Sequence, residues 1–141
     1  TNVLSFSGGA WSVATRIAGA TWEGSLTEID GLHAYWVNTT SSAPVESLLE
    51  LPAAGTANTL PTVAVASGWN LVPVIDLAQV KIGDAGSTVT ADTYFTSVSW
   101  SVAYTYNASS RAWTRHTTTS GTLENGQGVW VWANRAGTLI P

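Results

Sequence analysis

Residues 100–113 read WSVAYTYNASSRAW, and residues 123–141 read LENGQGVWVWANRAGTLIP. The first stretch alternates on both sides of Asn107-Ala108-Ser109-Ser110, a cluster of turn formers, and so predicts two strands joined as a hairpin. The second passes through Gly126-Gln127-Gly128 into VWVWA, which predicts a glycine turn followed by a third strand. Tyr104 and Tyr106 stand two apart, as do Trp130 and Trp132. On a regular strand each pair therefore faces one side.

Working outward, the N-terminal third repeats this plan in shortened form. Residues 3–11 (VLSFSGGAW) match residues 102–113, each running from an apolar strand through a turn to Ala-Trp. Residues 26–37 (LTEIDGLHAYWV) match residues 123–131 (LENGQGVWV): leucine, acidic residue, glycine turn, aromatic strand. Two matches in the same order predict an internal repeat. Gly68-Trp69-Asn70 occurs once, so the first copy lacks the front half that the second possesses. The small, uncharged stretch 52–60 (PAAGTANTL) reads as the linker. Residues 1–55 are thus expected to form a partial repeat carrying the C-terminal half, and residues 56–141 a complete one, the two packed as one unit. Such a partial unit leaves a sheet edge wanting a partner.

Composition points the same way. Charged residues make up 10% of the 141, against a usual quarter, and Thr, Ser, Gly, Val and Trp fill the difference. These residue types favour strands and turns, so the expected fold is all-β, an antiparallel sandwich or barrel-like module with one or two short helices at most. A helix is expected within residues 90–98, capped by Thr90 or Asp92, and residues 43–51 fit either a helical turn or an irregular strand. A short strand is read at 80–82. Pro73 marks residues 69–75 as an edge strand, because proline donates no ladder hydrogen bond. The net charge of −4 and the single lysine, Lys81, offer no basic stripe for nucleic acid. There is no cysteine for a disulfide or thiolate site, and no apolar run reaches the ~18 residues of a membrane helix. Position 1 is not methionine, so the chain is expected to be a processed or excised piece of a longer product.

Gly68-Trp69-Asn70-Leu71, then an aromatic hairpin ending in Trp113, then Gly126-Gln127-Gly128-Val129-Trp130-Val131, resembles the GWNL…GxGYWV repeat of bacterial and archaeal surface-layer and other cell-surface proteins. The resemblance covers residues 60–140 well and 3–37 in part. The chain departs from it at Val129-Trp130, where the family commonly has Gly-Tyr-Trp. The resemblance implies a structural, non-enzymatic module at the cell surface or outside the cell. Its partners would be like subunits or neighbouring envelope modules in a surface layer, sheath or filament.

The eight tryptophans are each able to bury about 150–250 Å². Trp11, Trp69, Trp113, Trp130 and Trp132 are therefore expected to be the main filling of thin β cores, and truncating Trp113 to alanine would then cost about 3–5 kcal/mol. The competing reading makes same-side aromatics an exposed platform for a glycan, in an adhesive or carbohydrate-binding module that also uses the polar loop Thr117–Ser120. Chemistry is sparse. His33 and His116 fall at corresponding strand regions of the two copies without metal-ligand spacing, and no Gly-x-Ser-x-Gly elbow accompanies them. No cofactor is expected; calcium among Asp76–Asp84 is the one conceivable ion, without an EF-hand pattern. Glu28 and Asp30 read as flanking an exposed turn. Asn38-Thr39-Thr40 and Asn107-Ala108-Ser109 are N-glycosylation sequons at strand ends.

Overall fold

The structure, a computed structural model, describes residues 1–17, 21–39, 62–75 and 88–141. Among the described residues the chain is mostly strand in antiparallel sheets, with one short helix, an all-β and sandwich-like architecture. The expected linker at 52–60, the 55/56 boundary, the stretches 43–51 and 80–82 and the aspartates at 76 and 84 lie outside the described residues.

The hairpin read at the N-terminus is β1 (Asn2–Ser7) and β2 (Ala10–Arg16), turning at Gly8-Gly9. β3 (Trp22–Gly24) pairs with β2, and β4 (Trp36–Asn38) pairs with β1, giving sheet I in the order β3-β2-β1-β4. The aromatic strand expected to close the stretch 26–37 begins only at Trp36. Asp30 holds the preceding residues in a turn, its carboxylate accepting from the Leu32 amide at 2.9 Å and lying 2.7 Å from the His33 ring. A side chain that caps its own backbone in this way competes with strand pairing.

β5 (Val63–Val65) leads through Gly68 into β6 (Gly68–Pro73). Gly68 takes φ +99°, which a side chain resists, and buried Asn70 closes the turn by accepting from the Ala66 amide and donating to the Ala66 and Gly68 carbonyls. That is the physical content of the Gly-Trp-Asn triplet. β7 (Thr88–Thr90) runs into α1 (Ala91–Tyr94), N-capped by Thr90 as expected but without a side-chain hydrogen bond to the helix backbone. β8 (Trp100–Asn107) and β9 (Ala112–Thr117) form the second aromatic hairpin, and β10 (Thr122–Glu124), β11 (Gly128–Ala133) and β12 (Gly137–Leu139) close the chain. Sheet II has the order β6-β11-β8-β9, so the proline-bearing strand is an edge as expected; β10 pairs with β7, and β12 with β5.

The core lies on one face of sheet II. Val129, Val131 and Ala133 alternate inward along β11 to meet Val72, Phe95, Leu123 and Leu139. This corrects the expected tryptophan filling: Trp100 is the one indole among these buried residues. Period-two alternation explains it, since burying the valines of VWVWA turns Trp130 and Trp132 to the opposite face. There Trp130 meets sheet I, which covers that face only in part.

An aromatic groove between two sheets of matching register

The two sheets share a pairing plan. In β1–β2, Phe6 stands opposite Trp11; in β8–β9, Tyr106 stands opposite Trp113. The third strand joins the inner strand of each hairpin, placing Leu4 opposite Trp36 in sheet I and Tyr104 opposite Trp130 in sheet II. Phe6, Trp11 and Trp36 thus occupy the places of Tyr106, Trp113 and Trp130.

The faces carrying these residues meet reciprocally. Trp130 reaches across to Phe6 and Trp11, with centroids at 5.2 and 5.5 Å, while Trp36 reaches across to Tyr106 and Trp113 at 4.9 and 5.7 Å. Within the hairpins, Phe6–Trp11 and Tyr106–Trp113 lie at 5.1 and 4.9 Å. Each third-strand indole thus wedges into the aromatic pair of the opposite hairpin. Most of these contacts are tilted or edge-on, the arrangement that opposes positive ring edge to negative ring face. Gly128 allows the close approach: a β-carbon there would lie 3.3 Å from that of Ala34, just ahead of β4.

Between the sheets remains an open groove of about 880 Å³, lined by Leu4, Phe6, Trp11, Trp36, Trp69, Tyr104, Trp113 and Trp130. Four of the five singled-out tryptophans come together there. Trp132 sits outside, against Trp69 at 5.3 Å. Trp11 is 49% exposed and Trp113 51%, so the rims are half in water. With half its surface already solvated, Trp113 loses about 2 kcal/mol of burial on truncation, below the 3–5 expected of a core ring. Trp36 escaped sequence reasoning, although aligning Val37 with Val131 already places it on Trp130.

Among the described residues no histidine, carboxylate or hydroxyl of serine or threonine lines the groove, and the surface they present there is apolar and aromatic. A smaller cleft of about 350 Å³ runs beside β4 and is more polar; Tyr35, Asn38 and Arg111 join Trp36, Tyr106 and Trp113 there. A third cavity, of about 740 Å³, lies on the other face of sheet I, with Arg16, Glu28, Asp30 and His33 in its wall.

The histidines do not correspond. His33 lies in the turn before β4, and His116 on β9 takes the place that Ala14 has on β2. Hydrogen bonds from the His33 ring and the Leu32 amide outweigh the upward pull of burial on Asp30 and hold its carboxyl below the usual range. Tyr35 accepts from the Asp30 amide at 2.9 Å, and burial pushes its hydroxyl pKa up. His116 is buried, with Nε2 2.9 Å from the Thr105 hydroxyl and Nδ1 without a partner among the described residues; burial pushes its pKa down. Among the described residues no group of three or more His, Cys, Asp or Glu side chains gathers in metal-binding geometry, and no helix is long and apolar enough to cross a membrane. Both sequon asparagines are exposed, and Asn107 Oδ1 accepts from the Ser109 and Ser110 amides in an Asx turn.

No protein-family model, curated protein or solved structure matches the chain.

Proposed function

We propose that the chain is a structural module of a bacterial or archaeal cell-surface protein, built of one complete and one partial repeat, which assembles with like subunits or neighbouring envelope modules in a surface layer, sheath or extracellular filament. The observation that carries this reading is the reciprocal aromatic contact. A face that accepts a near-copy of itself through equivalent residues is the intramolecular form of an isologous interface, and the same chemistry joins like units between chains. The half-exposed Trp11 and Trp113 leave apolar surface for a further neighbour. On this reading Asn38 and Asn107 are available for glycosylation in an extracellular setting, and no enzymatic step is required of the chain.

The test is negative-stain microscopy with sedimentation velocity over a wide concentration range. Ordered sheets, filaments or a concentration-dependent oligomer series are expected; single particles at the highest concentrations would overturn self-assembly. A second reading, glycan adhesion, is favoured by the smaller cleft, where the stacked Trp36–Trp113 pair stands beside Asn38 and Arg111. Saturable quenching of tryptophan fluorescence by a polysaccharide, without assembly, would select it.

A further inference from the structure

In sheet II the outer edge of β11 is covered by β6, which sets Leu71 opposite Trp130 and Trp69 opposite Trp132. By register, β4 is the counterpart of β11 in sheet I, yet among the described residues no strand pairs with its outer edge. Val37, on that edge strand, is 49% exposed. A cleft of about 350 Å³ runs beside β4, walled by Trp36, Val37 and Asn38 of that strand and by Tyr106, Arg111 and Trp113 across from it.

We propose that this edge and cleft bind an extended segment of the β6 type, with Gly-Trp-Asn-Leu at its start, donated by a neighbouring module. The inference rests on the assembly reading and names its contact. The occupant's chemistry follows from sheet II. Backbone groups pair along β4, a leucine covers Trp36 as Leu71 covers Trp130, and an indole two residues earlier lies beside Asn38, the counterpart of Trp132. The intervening asparagine ties its own turn, as Asn70 does through Ala66, so the strand arrives preorganised.

The experiment titrates the full chain into a fluorescein-labelled peptide of residues 66–75, ASGWNLVPVI, followed by anisotropy, with amide NMR on the isotope-labelled chain. A saturable rise is expected, with shifts at Trp36, Val37, Asn38, Tyr106 and Arg111, and roughly tenfold weaker binding of peptides carrying Trp69→Ala or Leu71→Asp. Absence of saturable binding at millimolar peptide, or shifts confined to the open groove around Trp11, would overturn the proposal. So would a soluble oligosaccharide that shifts the same amides while the peptide does not. Failure is separable from that of the broader reading: a chain that assembles without binding the peptide keeps assembly and loses strand donation, and one that binds the peptide without assembling does the reverse.

Discussion

The reciprocal packing of the two sheets predicts matched energetic coupling across their interface. Consider Trp130→Ala and Trp11→Ala singly and together, beside the equivalent set Trp36→Ala and Trp113→Ala. Trp130 is mostly buried, and removing about 150 Å² of its contact at ~25 cal/mol/Å², reduced for a compact unfolded chain, costs about 3 kcal/mol. Lost ring pairs add about 1 kcal/mol. Among the described residues Trp36 lies on an edge strand without the lateral cover that Leu71 gives Trp130, so its truncation is expected to cost less, about 2–3 kcal/mol. The decisive quantity is the interaction energy of each cycle, since Trp11–Trp130 at 5.5 Å and Trp36–Trp113 at 5.7 Å are equivalent contacts. Equilibrium unfolding in guanidinium chloride should return coupling of about 1 kcal/mol, of the same sign, in both cycles. Coupling present in one cycle and absent from the other would refute the equivalence, and zero in both would show that the sheets do not meet through these rings.

Two further predictions concern the strand-end loop over β9. Gly121 takes φ +123°, and a β-carbon there would fall 2.3 Å from Nδ1 of His116, so Gly121→Ala combines backbone strain with displacement of a buried ring. A loss of about 3 kcal/mol or more is expected in chemical denaturation, and a change under about 1 kcal/mol would show that the loop is not closed over the imidazole. Burial lowers the His116 pKa below its ordinary 6.5, so the unfolded chain takes up the proton first. Stability is therefore full above about pH 6.5 and declines as pH falls from there until the folded imidazole itself titrates. Thermal melts should show that decline, and His116→Gln should flatten it; an unchanged slope would place the pH dependence elsewhere.

Local pattern sufficed for much of this protein. The alternation around Asn107–Ser110, the Gly-Gln-Gly turn and Pro73 are nearest-neighbour constraints, and each became the expected hairpin, turn or edge strand. The match of residues 3–37 to the closing stretch is likewise carried by the chain itself, because turns and aromatics recur in the same order although their spacing differs, and the two sheets pair them alike. What sequence could not decide was which face of VWVWA would be dry. Valines and indoles are both apolar, so composition permits either face to be the core, and the preference for indoles followed from their size. The choice depends on α1, β10 and β12, which fold Phe95, Leu123 and Leu139 onto the valine side. The indoles were left to the other side, where only the meeting of two sheets assembles Trp11, Trp36, Trp69, Trp113 and Trp130 into one groove. Contacts between residues a hundred positions apart are set by packing, and no local spacing encodes them.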